Sequence, residues 1–359
     1  MRPSWIIRSV FLLCTILLCG CAGVGAQVAA TERYQYNLAM QRAEDQQLLL
    51  NLVRLRYRDR PYFLETSSLA TQFSIGRDIG LVGAIGSPSV QEDLLLIGGV
   101  GLEANPTLTY VPLQGEDFAL RMLRPIPFED IVLLSNSGWS IERLLRLFVQ
   151  GINEVVNAPT ATGPTPDNAP EYETFLSVSR LLRVMQQARQ TALGVDAVTG
   201  KPVLHISRDG AATDEFAEFT RLLSLDSSRR RFGLECNQAD RAANICIQMR
   251  SMTGVLNFVS QAVAISEADQ AAGRVTLTKD NEGRLFDWRQ VTVDLFRTEV
   301  ADEKPDNAAV SVQYRDRWFY VEDNDLQSKS TLMLIGQLFS LVAVEGKTDA
   351  PVLTLPLGK

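Results

Sequence analysis

The chain has 359 residues, a formal net charge of −7, 21% charged residues, one histidine and five cysteines. An acidic chain of this length, enough for one large domain or two ordinary ones, is a poor partner for nucleic acid. One histidine and few thiols also leave little material for a His- or Cys-based metal centre.

In chain order, the first segment reads as an export signal. Arg2 and Arg8 precede an apolar run from Val10 to Leu18 that ends in small residues and is too short for a permanent transmembrane helix. The closing residues, Leu18-Cys19-Gly20-Cys21, resemble the lipobox of bacterial lipoproteins. That resemblance implies a signal peptide over 1–20, acylation (palmitate-type lipidation) of Cys21 and a tether over 21–30. Ala22 stands where an inner-membrane lipoprotein would carry Asp, which implies the outer membrane, periplasmic face, as the location. The body is similar to bacterial envelope lipoproteins. Removal of the signal takes Arg2 and Arg8 and moves the net charge from −7 to −9. Cys14 and Cys19 leave with it and Cys21 carries lipid, so Cys236 and Cys246 remain. In an oxidising periplasm these read as a disulfide, with two buried thiols as the alternative.

From Thr31 the spacing of Tyr34, Leu38, Leu48, Leu49, Leu52, Val53 and Leu55 predicts a long helix that Pro61 ends at the latest. Arg54, Arg56, Arg58 and Arg60 crowd its C-terminal end, either as a solvated end complementing the helix dipole or as contacts to membrane phosphates or a partner.

The period then changes to two. Phe73, Ile75, Ile79 and Leu81 alternate with small or polar residues, Arg77 interrupts their face, and the pattern returns from Leu94 to Tyr110 beyond a polar segment at 87–93. The expectation is a long amphipathic β-hairpin over 71–110. Three roles are open to it: a cover for the chain's own helices, a membrane-crossing element pooled between copies into a barrel, or a flap for a partner or lipid.

Further along, helices are expected over 116–124, Phe128–Leu134 and Ile141–Val156, the last capped by Ser140. A Pro- and Thr-rich segment at 158–170 suggests a joint, dividing the chain into 31–157 and 171–359. Beyond it the expectation is helices over 172–191, 214–225 and 254–265, the last capped by Thr253, and a hairpin over 195–206. Strands near 231–236 and 245–250 would set the two cysteines on one hairpin. An antiparallel meander through 275–278, 291–296, 310–314 and 318–321 would then lead to a helix over 326–344, capped by Asp325, and an edge strand over 351–356. Segregated helices and antiparallel strands make the class α+β.

The catalytic reading is weak. His205 lies in the apolar run Val203-Leu204-His205-Ile206, where a cross-strand role is the simpler one, and Gly194–Lys201 lacks the spacing of a phosphate loop. The acidic run Glu322–Asp325 reads as helix capping, and Arg229–Arg231 as a solvated strand entrance. No cofactor or metal is implied. The expectation is therefore a non-enzymatic scaffold, assembly or export component that contacts envelope proteins and, through the hairpin, copies of itself. The alternatives are a carrier of lipid or another hydrophobic ligand, and a carbohydrate- or lipid-acting enzyme using a carboxylate pair.

Overall fold

A computed structural model describes residues 21–82, 95–164, 166–236, 240–344 and 353–356. The class is α+β: helices and several small antiparallel sheets, with no closed barrel among the described residues. The chain forms two compact units, one from the residues up to Pro61 and Arg124–Phe339, the other from Tyr62–Leu123 and the residues from Ser340 onward. The expected joint at 158–170 falls inside the first unit.

Helix α1 (Cys21–Arg56) opens the first unit and begins ten residues before the expected start at Thr31. Ala22 to Ala30 contains no proline, and its four alanines offset the unfavourable Gly23 and Gly25. Leu48, Leu49, Leu52 and Val53 form its buried stripe. Arg58 ends it in the left-handed region (φ 60°), where the Asp59 N–H donates to Arg54 O at 2.8 Å and the Arg58 N–H to Leu55 O at 3.0 Å. That pair of bonds is a Schellman motif built without glycine.

In the second unit β1 (Phe63–Val82) pairs antiparallel with β2 (Leu95–Leu113), in register from Phe63↔Leu113 to Val82↔Leu95 except for a shift between Thr66 and Ser68. Pairing therefore starts eight residues earlier than the alternation suggested, because no proline or glycine interrupts Phe63 to Thr71. The register sets Phe73 opposite Ala104, Ile75 opposite Leu102, Arg77 opposite Val100, Ile79 opposite Gly98 and Leu81 opposite Leu96, the face the sequence had grouped. The expected loop at 87–93 lies outside the described residues. A short strand, Leu353–Pro356, pairs with β2 at Thr107–Tyr110. Helix α2 (Glu116–Leu123) follows, with Phe118 edge-on to Phe63 at 6.4 Å.

The rest of the first unit continues with α3 (Phe128–Asn136) and α4 (Ile141–Phe148), where the Ser140 hydroxyl accepts from the Arg143 N–H as expected. The single helix expected to Val156 does not form. The chain turns into β3 (Val149–Ile152), passes Asn153 at φ 52° and returns as β4 (Val155–Val156). Valine and isoleucine favour the pleated conformation, and β3 has a partner in β8 (Ile247–Met249). After α5 (Glu173–Gln187), β5 (Thr191–Val195) and β6 (Pro202–Ile206) make a hairpin that begins four residues before the expected 195–206, α6 (Asp214–Leu222) follows, and β7 (Arg231–Gly233) adds to β6.

The two cysteines do not share a hairpin: Cys236 lies beyond the end of β7, Cys246 just before β8, and those strands belong to different sheets. Cys236 and Cys246 nevertheless lie at disulfide distance, so the bond joins the segment after β7 to the one that leads into β8. Closing a loop with a sequence separation of 10, it should contribute about 2–3 kcal/mol in the chain-entropy account. Dithiothreitol, or Cys246→Ser, is expected to lower the urea midpoint accordingly, and an unchanged midpoint would leave the bond without a stabilising role.

Helix α7 (Met252–Ser260) is capped by Ser251, whose hydroxyl accepts from the Gly254 N–H at 3.1 Å, rather than by Thr253. The strands expected around 275–278 and 291–296 do not form: the chain is irregular at 275–278, beyond the short helix α8 (Glu267–Ala271), and 291–296 holds the end of α9 (Arg289–Thr292) and a turn. The antiparallel meander is confined to β9 (Glu299–Ala301), β10 (Ala308–Tyr314) and β11 (Arg317–Glu322), ordered β10-β11-β9. Arg315 (φ 50°) and Asp316 (φ 63°) form the tight turn between β10 and β11, both in the left-handed region that such two-residue hairpins require. Asp325 caps α10 (Leu326–Val344), its carboxylate accepting from the Ser328 N–H at 3.0 Å.

The segment at 158–170 is fixed from two sides. The Thr278 hydroxyl donates to Pro166 O at 2.6 Å, and the Ala169 and Lys279 N–H groups donate to Lys279 O and Asp167 O. The other side is held by Arg250, which is fully buried. Its Nη1 donates to the carbonyls of Arg146, Leu147 and Val149 at 3.1, 3.1 and 2.8 Å, and its Nη2 to Asn157 O. Its Nε reaches Thr162 Oγ1 at 3.3 Å, and the guanidinium lies 4.1 Å from the Phe258 ring centre. A cation thus closes the carbonyl end of α4, where the helix dipole favours one.

Candidate functional site

Two features stand out from the structural framework, one in each unit. In the second unit it is the length of the hairpin. Strands of 20 and 19 residues extend about 65 Å at the usual strand rise. Phe73, Ile75, Ile79 and Leu81 hold alternate positions of β1.

In the first unit it is a cavity of about 280 Å³ beside the end of α1, framed by the segments 261–265, 277–278, 285–289 and 298–299. Arg56 lines it. The sequence groups Arg56 with Arg54, Arg58 and Arg60, but Arg54 is two helix positions away and faces elsewhere, Arg58 and Arg60 lie beyond the helix end, and Arg56 points inward, 7% exposed. Arg54 is half-buried with its Nη1 donating to Asn51 Oδ1 at 3.1 Å, while Arg58 and Arg60 are exposed. Arg56 makes one hydrogen bond, from Nη1 to Gln261 Oε1 at 2.7 Å. The Gln261 amide nitrogen is in turn directed at Asn257 O and Ser260 Oγ, which aims its oxygen at the arginine. The buried Nε has no partner, and no carboxylate pairs with the guanidinium among the described residues. Burial pulls its pKa down to about 10.

Aromatic side chains make one wall of the cavity. The Trp288 indole N–H donates to Thr278 Oγ1 at 2.8 Å, and the Phe286 ring meets Trp288 edge-on at 5.4 Å. Leu285, 59% exposed, stands at the mouth, where Arg289 and Asp287 pair with each other at 2.9 Å. A second void, lined by Ile141, Leu145, Phe219 and other apolar side chains, measures about 20 Å³. It has room for roughly one water molecule and none for a lipid chain.

Next to Arg56 the chain turns outward through a polar cluster. The Tyr57 hydroxyl donates to Asp269 Oδ2 at 2.8 Å, and the same carboxylate accepts from Ser266 and from Arg274, both at 2.8 Å. Burial raises the Asp269 pKa, but the bonds from Tyr57, Arg274 and Ser266 outweigh it and hold it below the ordinary carboxylate value. Burial and the neighbouring Asp269 push the Tyr57 hydroxyl up, so it remains a donor.

The sign for stability follows from the depressed folded value. The Asp269 contribution is complete above the unfolded pKa, about 3.9 for Asp, and is lost as pH falls through the lower folded value. The urea midpoint of the wild type is expected to drop below about pH 4, with a shallower drop in Asp269→Asn. Parallel acid limbs would remove Asp269 from the account.

Of the other residues considered from sequence, His205 lies exposed on β6 opposite Ala192 and Arg231, and its carbonyl accepts from the Thr191 hydroxyl. The acidic run pairs locally, Asp323 with Lys329 and Asp325 with Arg297, and Arg229 and Arg231 pair with Asp226 and Asp196. The pocket around Arg56 carried no sequence signal, since a helical arginine reads as exposed. No protein-family model, curated protein or solved structure matches the chain significantly. Among the described residues no helix is long and apolar enough to cross a membrane.

Proposed function

We propose that the protein is a lipoprotein anchored through Cys21 to the periplasmic face of the outer membrane, where copies of it assemble through the β1–β2 hairpin. In this reading it serves as a scaffold or export component that works by contact with envelope proteins, without a catalytic step of its own. The observation that carries the reading is the long pairing of β1 with β2 from Phe63↔Leu113 to Val82↔Leu95, broken only by the shift between Thr66 and Ser68.

A strand of 9–11 residues is enough to cross an outer membrane, and each of these is about twice that. Two strands alone leave their outer N–H and C=O groups unsatisfied in lipid, so a crossing hairpin has to join others edge to edge into a closed wall. Arg77, opposite Val100, sets the depth in such an assembly. A charge on the lipid face is tolerated near the interface and costs several kcal/mol at the midplane.

The test is the mass of the complex extracted from membranes in mild detergent, together with acylation of the wild type and of Cys21→Ser. A mass that is a multiple of one chain, and lipid lost only in the variant, are the expected results. A single-chain mass removes the assembly, and unchanged acylation in Cys21→Ser removes the anchor.

A further inference from the structure

The cavity beside Arg56 has two properties that a filled core lacks: open volume, and a buried cation with spare donors. An isolated guanidinium loses several kcal/mol of hydration on burial, and Arg56 recovers only one hydrogen bond, to Gln261. Arg250, in the same unit, shows how the fold treats a structural arginine: four carbonyls and a hydroxyl satisfy it. Arg56, at the wall of 280 Å³ of open space, keeps a sealed Nε without a partner, and Nη2 has no acceptor among the described residues.

We infer that this cavity binds a small organic monocarboxylate carrying an apolar, ring-sized body. Nη1 is committed to Gln261 and Nε is sealed off, so the guanidinium offers the cavity its charge and Nη2, a charge-assisted donor to a carboxylate oxygen. One positive charge calls for one negative charge. Asp287 and Glu299 frame the same cavity and disfavour a doubly charged phosphate. The body of the ligand meets Trp288, Phe286, Leu277 and Val263, apolar surfaces against which a ring packs. The volume lies at the lower end of ligand pockets, which limits the occupant to a small molecule. The mouth beside Leu285 and the Asp287–Arg289 pair gives entry from solvent.

The experiment is calorimetric titration of the full chain in mild detergent with three probes: 3-phenylpropionate, its neutral amide 3-phenylpropanamide, and inorganic phosphate. The expected result is saturable binding of the carboxylate, with the amide and phosphate at least tenfold weaker. Arg56→Gln is expected to lower carboxylate affinity at least tenfold, and Arg56→Lys, which keeps the charge on a shorter side chain, to recover only part of it. Because the probe comparison uses the wild-type protein, it decides the matter even if the variants unfold. Equal binding of the carboxylate and its amide, tighter binding of phosphate, or no saturable binding of the carboxylate would each overturn the assignment.

Discussion

Arg250→Met is expected to destabilise the first unit by about 3–5 kcal/mol, a loss at the upper end of what single substitutions produce. Methionine matches the length of the arginine stem and can rest on Phe258, so little packing is lost. The damage comes from the acceptors. The Asn157 side-chain amide also donates to Arg146 O and Val149 O, at 3.0 and 2.7 Å, so those two carbonyls keep a partner. Leu147 O and Asn157 O, both of buried residues, lose the guanidinium, as does the part-buried Thr162 Oγ1, and an orphaned buried acceptor costs about 1–3 kcal/mol. Relief of the cation's desolvation works the other way, since burial alone pulls the pKa of Arg250 down to about 9. The acceptors prevail because they are spread over α4, β3 and the 157–162 segment and cannot all relax toward one another. Arg250→Lys offers three donors from one point instead of a planar fork, and is expected to recover less than half of the loss. Urea unfolding measures both, and a loss under about 1 kcal/mol for Arg250→Met would show that the network is dispensable.

The same arginine marks where the sequence was legible and where it was not. Period-two alternation sets the hairpin register, because a one-residue slip would exchange its two faces, and so Phe73 was grouped correctly with the residues opposite it. The caps at Ser140 and Asp325 were equally readable, since a polar side chain before an apolar stripe has a local task. Between Val149 and Val156 the apolar residues fit either a helical stripe or two short buried strands, and the choice depends on β8, almost a hundred residues away. Proline and threonine at 158–170 correctly announce a loop but not what holds it. Arg250, Thr278 and Lys279 do that, and none of them signals the task in sequence. Arg56 was hidden for the opposite reason: its neighbours at 54, 58 and 60 suggested a charged surface, but the helix ends at Arg56 and its last turn directs that side chain inward.

Removing the distal part of the hairpin is expected to reduce the detergent-extracted complex to a single chain while leaving the first unit as stable as before. The register supplies a clean way to do it. Deleting residues 77–100 joins Gly76 to Gly101, which face each other across the hairpin, and leaves a Gly-Gly turn closing on Ile75↔Leu102. Glycine pairs suit the left-handed backbone of two-residue hairpin turns. Everything below that pair keeps its partners, including Phe63↔Leu113, the Leu353–Pro356 strand on β2 and the Phe63–Phe118 contact. The deletion therefore discriminates between the roles open to the hairpin. If the distal strands served to cover the chain's own helices, their removal would expose apolar surface, and the first unit would lose stability at about 25 cal/mol for each Å² uncovered. If they assemble copies, the urea midpoint of that unit stays within about 0.5 kcal/mol of wild type and only the mass of the complex falls. A truncated protein that still runs at the full complex mass would exclude the distal hairpin as the assembling element. A monomer with an equally stable first unit is the outcome that an edge-to-edge wall of hairpins requires.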